Sequence, residues 1–311
     1  MAGLHHSIIS AFAVNKVLRE KGQYKTTDGT RLIRKTKDQR EQILARYQII
    51  NHCIKSGFSF LDNYHLSLDG QPYVVYENDC YIMTDIILYP EADFTADEDF
   101  FRTVTALASF HKAARGLSFN SDAILHKGRP ALPLTDLMKE QLKALDINRK
   151  RLRKQSKMSD FDVLFVKHFS DYRERIKRAL LLLESTGYSK HLAKAKQNNH
   201  ICHGAIKEDC VKMSDELVYI TNLDNVSVGY QLSDLCNLIS RRERRAPVST
   251  AKVVEIYSQI LPLEPEEEVI LEAMLLYPSA FIKICTEYYQ KKRSWTPIAM
   301  INKMQEIVEP S

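Results

Sequence analysis

The residue types best suited to chemistry lie close together between positions 203 and 224. The stretch from His203 to Cys210 holds an imidazole, two carboxylates at Glu208 and Asp209, and a thiol, and Asp224 follows a β-prone run. Carboxylate oxygens bind hard divalent cations, and a histidine can activate a cysteine as a nucleophile. Two chemistries are therefore open here, a metal site built from the three carboxylates and a thiol nucleophile.

Both chemistries have a simpler structural interpretation. Glu208 and Asp209 are typical of solvated loop residues, and no Asp or Asn can be assigned to orient His203 toward Cys210. A cysteine is also a small apolar residue that fills space in a packed loop. We therefore favour the structural interpretation of these side chains.

The chain before residue 90 is predicted to contain five strands and one helix. An Asp-Gly pair between β-prone runs favours a two-residue turn, and apolar residues at helical spacing before Gly57 favour a helix. In chain order, the predicted elements are a hairpin over Gln23 to Lys35 turning at Asp28-Gly29, a helix over Asp38 to Ser56, strands over Tyr64 to Leu68 and Pro72 to Tyr76 joined at Asp69-Gly70, and a strand over Cys80 to Leu88.

After Tyr89-Pro90 the pattern changes to long helices with one β-prone island. The predicted helices are Asp97 to Arg115, Leu134 to Lys154, Asp160 to Thr186, Gln231 to Arg242, Ser249 to Ile260, Glu266 to Leu276 and Ser279 to Gln290, and the island is Ile201 to Val226. This order predicts an α+β, bilobal protein kinase-like fold. Residues 1–89 form its small β-rich N-lobe, and residues 90–311 form a helical C-lobe that contains the island.

Phosphoryl transfer in such a fold requires a catalytic-loop base and side-chain ligands for magnesium. His203 is in place in the loop, but Ala205 stands where an aspartate base is needed, and Cys210 stands where an asparagine is needed. Asn222 replaces the first aspartate of the metal-binding strand, and Asp224 is retained two residues later. Neutral amide and soft thiol groups are poor magnesium ligands, so the loop reads as degenerate.

The cation that contacts nucleotide phosphates is predicted at Arg34 or Lys35, with Arg34 the better match. No glycine-rich loop precedes it. Glu41 is a possible acidic partner for that cation, but it lies early in its helix, and Arg46 lies nearer the expected position of the acid.

The chain resembles the CotS-type family of spore coat proteins, which are relatives of the aminoglycoside phosphotransferases. The resemblance rests on residues 27–35 (TDGTRLIRK), residues 107–116 (LASFHKAARG), the loop and strand described above, and the tail from Tyr288-Tyr289 to Ser294-Trp295-Thr296-Pro297. It implies that Asp234, in Ser233-Asp234-Leu235, has a structural role and braces the catalytic loop by accepting backbone N–H bonds.

The resemblance and the changed residues together predict a spore coat-associated pseudokinase that acts as a structural or interaction scaffold. The alternative is an active ATP-dependent phosphotransferase, acting on a small molecule or a protein, with rearranged metal ligands. The scaffold interpretation needs no cofactor, whereas the alternative needs ATP and Mg²⁺ with Asp224 as a ligand. The implied partners are other spore coat proteins, in the mother-cell cytoplasm and the spore coat.

Composition agrees with this interpretation. Of 311 residues, 44 are Lys or Arg and 39 are Asp or Glu, so the charge excess is small and argues against a nucleic-acid partner. No apolar run is long enough for a membrane helix, and the amino-terminal residues lack the features of a signal peptide. Six scattered cysteines without a C-x-x-C pair suit a reducing compartment.

Overall fold

The computed structural model describes residues 6–14, 16–17, 23–26, 29–119, 133–290 and 297–309. Two compact units are present. The sheet unit comprises residues 1–129 and 192–263, and the helical unit comprises residues 130–191 and 264–311. The predicted lobe boundary at residue 89 falls inside the sheet unit, and it stays a prediction.

The sheet unit contains a six-stranded antiparallel sheet with the order β1-β2-β3-β6-β4, in which β5 also pairs with β6. The strands are β1 (Lys16–Val17), β2 (Gln23–Thr26), β3 (Gly29–Thr36), β4 (Tyr64–His65), β5 (Val74–Tyr76) and β6 (Asp79–Asp85). Pairing of β2 with β3 confirms the first predicted hairpin. Of its predicted turn residues, Gly29 is instead paired with Thr26 in the sheet, and Asp28 lies outside the described residues.

The turn predicted at Asp69-Gly70 joins two strands that do not pair with each other. A tight turn does form at Gly70, where φ is +71° and the amide N–H donates to the Ser67 carbonyl. The two strands that flank it nevertheless pair with β6, β4 at Met83 and Thr84 and β5 at residues 79–81. Both β4 and β5 pair with β6, because its longer edge offers more backbone hydrogen bonds than two short strands offer each other.

Eleven helices are described: α1 (His6–Ala11), α2 (Arg40–Lys55), α3 (Asp97–Ala113), α4 (Leu134–Leu152), α5 (Asp160–Ser185), α6 (Tyr188–Gln197), α7 (Leu232–Glu243), α8 (Thr250–Ile260), α9 (Pro265–Leu276), α10 (Ser279–Tyr289) and α11 (Pro297–Val308). The seven long helices predicted after residue 90 and the helix before Gly57 are all confirmed within a few residues. Helices α1, α6 and α11 were not among the predicted helices.

Local sequence explains where these helices begin and end. Ser159 Oγ accepts from the Asp162 amide and Asp162 Oδ2 accepts from the Ser159 amide, a capping box that begins α5. Gly57 and Gly187 follow α2 and α5 with φ of +91° and +66°, the left-handed conformation that glycine adopts without strain. Three acidic residues in the first turn of α3, beginning at Asp97, interact favourably with the helix dipole.

The outer face of the sheet packs against α1. Ile8 and Phe12 from α1 and the residues after it contact Tyr24, Ile33 and Met83 from three neighbouring strands, and all five side chains are buried. Ile33 and Met83 are cross-strand partners, so one face of β3 and β6 is apolar. Side chains alternate along a strand, so Arg34, the next residue, projects from the opposite face.

The β-prone island forms short strands, as predicted: β7 (Ile201–Cys202), β8 (Val211–Met213), β9 (Val218–Ile220) and β10 (Ser227–Val228). β8 pairs with β9 and β10 pairs with β7, both antiparallel. An isolated bridge joins Leu61 to Ile220 and brings the chain before β4 beside the end of β9.

In the helical unit, α5 packs against α4, α9 and α11. The Phe281 ring stacks on Tyr172 at a centroid distance of 3.9 Å, and both rings are buried. No single helix in the described part of the chain is long and apolar enough to cross a membrane. The bent pair α9 and α10 meets that length and composition test only when its two helices are counted together.

Candidate functional site

The candidate site lies in the sheet unit, where β3, α2 and the turn after β9 converge. Arg34, on β3, donates from Nη2 to Asp224 Oδ1 at 2.7 Å. The next residue, Lys35, projects from the other face of the strand and pairs with Asp79 in a half-exposed ion pair. Of the two predicted phosphate-contacting cations, the structure thus places Arg34 beside Asp224 and Lys35 away from it.

A second guanidinium completes this cluster. Arg46, on α2, is 1% exposed, and its Nη1 lies 3.2 Å from both Asp224 Oδ1 and Tyr64 Oη. Its Nη2 lies 2.6 Å from Asp38 Oδ2. Burial lowers the pKa of Arg46, but the charges and hydrogen bonds of Tyr64 and Asp38 raise it by more, so the guanidinium is charged.

The sequence had suggested Arg46 near the position expected for an acidic residue, and in the structure Arg46 lies in the same cluster as Arg34 and Asp224. Glu41, the acid offered by the sequence, is exposed on the first turn of α2. The cation of β3 therefore meets the carboxylate of Asp224 rather than a glutamate from α2. The buried face of α2 thus brings a positive charge, Arg46, to this cluster.

Asp62 is a third carboxyl group beside the cluster. Its Oδ2 accepts from the Asn222 amide N–H at 3.1 Å, and its Oδ1 is buried without a hydrogen-bond partner among the described residues. Burial raises the pKa of Asp62 to about 7, against the lowering effects of that hydrogen bond and of the Arg34 charge. The Asp62 carboxyl group therefore keeps its proton to a higher pH than an exposed aspartate does.

The charges in the cluster leave little room for a divalent metal ion. Two guanidiniums face Asp38 and Asp224, and Oδ1 of Asp224 is already bonded to both of them. A cation at Asp224 would have to displace these bonds and would be repelled by both guanidiniums. No group of three or more His, Cys, Asp or Glu side chains suited to a metal occurs in the described ranges. The magnesium implied by the fold does not fit these residues.

The loop that carries the changed catalytic positions is firmly held. Asp234, at the start of α7, is 1% exposed and accepts from the His203 and Gly204 amides at 2.6 and 2.9 Å. It also lies 3.0 Å from His111 Nε2, and His111 Nδ1 lies 2.8 Å from Tyr257 Oη. The geometry of Asp234 is that of a buried brace, because its carboxylate is fully engaged by the protein.

Gly204 has no room for a side chain. Its φ is +81°, and a Cβ at this position would lie 2.3 Å from the Asn225 carbonyl oxygen. This contact joins the loop to the turn over residues 223–225, which also carries Asp224. The loop and the charged cluster are therefore parts of one packed arrangement.

At the chemical centre the structure brings Ala205, Cys210 and Asn222 together without forming a site. Cys210 Sγ lies 3.6 Å from the Ala205 carbonyl oxygen and 3.9 Å from Asn222 Nδ2. Burial and the nearby Asp209 carboxylate raise the pKa of Cys210 to about 12, so the thiol is protonated. The His203 ring bonds to the Thr221 carbonyl at 3.0 Å. These features are unfavourable for a thiol nucleophile.

Glu208 and Asp209, the other candidate metal ligands, are both ion-paired. Glu208 contacts Arg245 at 2.6 Å and Arg241 at 3.6 Å, and Asp209 pairs with Lys207. Two arginines at the end of α7 and just after it, Arg241 and Arg245, thus contact the loop.

Sequence reasoning did not find Asp38, Asp62 and Tyr64. Asp38 and Tyr64 are buried, and each bonds the Arg46 guanidinium from outside α2. The only local signal was a polar residue at the edge of a predicted element, Asp38 before α2 and Asp62 before β4. Such residues are common caps and turn formers, so the signal is not specific.

The fold is that of the protein kinase-like class. An aminoglycoside phosphotransferase from Alicyclobacillus acidocaldarius superposes with a TM-score of 0.83 at 16% identity, covering 98% of this chain and 91% of that one. An AMP-bound spectinomycin phosphotransferase, APH(9)-Ia, gives 0.60 at 13% identity, covering 98% and 93%. The amicoumacin kinase hAmiN, in complex with AMP-PNP, gives 0.52 at 13% identity, covering 95% and 87%. These likenesses confirm the predicted fold.

The chain belongs to the family described as "Spore coat putative kinase YutH", which matches residues 13–311. A search of curated proteins found no match. The resemblance inferred from sequence, to spore coat proteins related to the aminoglycoside phosphotransferases, is confirmed at the level of family and fold.

Proposed function

We propose that this protein is a catalytically inactive, kinase-like protein of the spore coat that serves as a scaffold for assembly. The observation that carries the proposal is the bonding of Asp224 Oδ1 to both Arg34 and Arg46. A carboxylate held by two guanidiniums is a poor ligand for magnesium, on which phosphoryl transfer in this fold depends.

The residues around Asp224 support the same conclusion. Ala205 has no group to accept a proton, and loss of a general base costs about a hundred- to ten-thousandfold in rate. Asn222 is bonded through its amide N–H to Asp62 and is neutral. In this proposal the general base and one metal ligand are both lost. The buried Arg46 adds a positive charge that opposes metal binding at Asp224.

The alternative, an active phosphotransferase with rearranged metal ligands, needs carboxylates that are available to a metal. Glu208, Asp209 and Asp224 are each paired with a basic side chain. The alternative would require at least two of these ion pairs to open on substrate binding, and no observation favours it over the scaffold proposal.

The coat association rests on the family to which the chain belongs. In this proposal the protein is made in the mother-cell cytoplasm, joins the spore coat, binds other coat proteins and needs neither ATP nor magnesium. Coat extracts from purified spores, probed with an antibody to a tagged chain, test the location. Absence from the coat would remove this part of the proposal.

The loss of catalysis is tested by incubating the purified chain with γ-labelled ATP and Mg²⁺ or Mn²⁺, alone and with coat extracts. Spectinomycin phosphotransferase with spectinomycin is the positive control for the assay. We expect no label transfer or hydrolysis above that of the buffer. Metal-dependent turnover that disappears in Asp224→Asn would refute the proposal.

The scaffold role is tested separately with the same Asp224→Asn variant, which keeps an oxygen for the two guanidiniums. We expect normal incorporation of this variant into the coat. Loss of incorporation by a variant that is folded and stable would mean that the cleft chemistry is needed, and would favour the alternative.

A further inference from the structure

One end of the helical unit carries an uninterrupted group of positive charges. The last turn of α4 and the residues after it contain six cations in nine positions, with no acidic residue between Asp146 and Asp160. This basic end consists of Arg149, Lys150, Arg151, Arg153, Lys154 and Lys157. All but Arg149 are exposed.

The basic end is not neutralised within the described parts of the chain. None of its six cations forms an ion pair with a described residue, whereas Lys139, Lys167 and Arg173 of the same unit all do. Arg149 lies over the Phe169 ring at 5.9 Å, and Arg151 over the Tyr289 ring at 5.1 Å, so their partners are uncharged.

The opposite charge is concentrated at the start of α9. Glu266, Glu267 and Glu268 fill the first turn of this helix, and Glu264 precedes it. Glu264, Glu266 and Glu268 are exposed. Glu264 and Glu267 form the capping box of α9, while Glu266 and Glu268 make no ion pair with a described residue. These four residues are the acidic end of the unit.

The two ends lie far apart on the same unit. Tyr289, beside Arg151, packs against Phe161 near the start of α5, whereas Phe281 packs against Tyr172, so α10 runs antiparallel to α5. α9 precedes α10 at a bend of about 40° and so continues in the same general direction. Two helices of 12 and 11 residues joined at that angle place the acidic end about 30 Å from the basic end.

We propose that the basic end of one molecule binds the acidic end of a second copy of this chain. The two ends are complementary in charge and too distant to meet within one unit, so the contact is between molecules and head to tail. A head-to-tail contact leaves a free end on each partner and therefore propagates into a chain or a ring. The inference names a partner for the assembly role proposed above and rests on that role for its biological meaning.

The contact is expected to be weak and sensitive to salt. Exposed ion pairs are individually weak and are screened by salt, while association costs translational and rotational freedom. Exposed apolar side chains beside the basic end, Met158 at 45% and Val163 at 50%, add area that water leaves on contact. We expect a dissociation constant that rises at least about tenfold between low and physiological ionic strength.

Sedimentation velocity of the full chain over a concentration series tests the contact. The basic-end variant is Lys150→Glu with Lys154→Glu, and the acidic-end variant is Glu266→Lys with Glu268→Lys. The matched control is Lys112→Glu with Lys196→Glu, two exposed lysines in the last turns of other helices. We expect association by the native chain and the control, and monomers for both end variants.

Mixing the two end variants gives the sharpest test. In the basic-end variant four cations of that end remain against two new glutamates, and in the acidic-end variant two glutamates remain against two new lysines, so each variant keeps only one native end. Together they again offer one native basic end and one native acidic end, and we expect the mixture to form one-to-one pairs through these two ends. Circular dichroism of each variant checks that the helices are intact.

The proposal is overturned if the native chain stays monomeric at low salt, if the basic-end variant associates as the control does, or if the mixture fails to associate. Fluorescence anisotropy with a labelled DNA duplex tests another occupant. If the basic end binds the duplex and the chain does not self-associate, the partner of the basic end is a nucleic acid and not a second copy of the chain. If the chain stays monomeric and shows no phosphotransfer, only the self-association proposal is refuted. If the chain associates and also transfers phosphate, only the proposed function is refuted.

Discussion

Replacing Asp62 with asparagine should stabilise the protein in a manner that depends on pH. Asp62 is half-buried beside Arg34, with one carboxylate oxygen bonded to the Asn222 backbone amide and the other buried without a described partner. Asparagine keeps an oxygen for the Asn222 bond and carries no charge. The variant therefore removes the ionisation of this group and little else.

The magnitude follows from the pKa of Asp62. Burial raises it to about 7 from an ordinary value of 3.8, so the folded state holds a proton that the unfolded state has lost between these values. The free energy of unfolding then falls as pH rises, by about 1.4 kcal/mol per unit, and the full cost above pH 7 is about 4 kcal/mol. Between about pH 5 and pH 8, the native chain should lose roughly 3 kcal/mol relative to Asp62→Asn.

Urea denaturation of both proteins across this pH range measures the difference. Asp215→Asn, at an exposed turn, is the control and should follow the native chain at every pH. If the native chain and Asp62→Asn show parallel profiles, Asp62 ionises freely in the folded state. The description of the cluster as a tightly packed charged site would then be wrong.

Three further outcomes follow from the same site. Arg46→Met leaves Asp38 without its buried cation and should lower the free energy of unfolding by about 3–5 kcal/mol in urea denaturation, whereas Lys35→Met, at an exposed pair, should leave it almost unchanged. Gly204→Ala forces a Cβ against the Asn225 carbonyl and should cost more than about 1 kcal/mol in thermal unfolding; an unchanged melting temperature would contradict the packing of the loop. Cys210, with its pKa raised to about 12, should react slowly with iodoacetamide in the folded protein at mildly alkaline pH, as measured by mass spectrometry. Rapid labelling of Cys210 would instead favour its role as a nucleophile.

The helices and the first hairpin could be predicted because their signals are local. Apolar spacing, a capping box before α5 and glycines after α2 and α5 act within a few residues. The pairing of β4 and β5 could not, because it depends on competition for the edge of β6. Helix α1 is only six residues long and is held by packing on the sheet, so its own sequence carries no clear period.

From their spacing, Ala205, Cys210 and Asn222 are predicted to be changed positions of a catalytic motif, and this stays a prediction. Arg46 was noticed as a cation near the expected acid. The ion pairs of Arg46 with Asp38 and Asp224 were not predicted, because they form only in the folded chain. The sequence predicts which catalytic residues are missing, whereas the structure shows that Arg46 brings a positive charge beside Asp224.

Isothermal titration calorimetry of the purified chain with ATP, in Mg²⁺, in Mn²⁺ and in EDTA, tests the central claim most directly. With Asp224 held by Arg34 and Arg46, we predict no heat that depends on the metal, in the native chain or in Asp224→Asn. Metal-dependent binding of ATP by the native chain that is lost in Asp224→Asn would contradict the account.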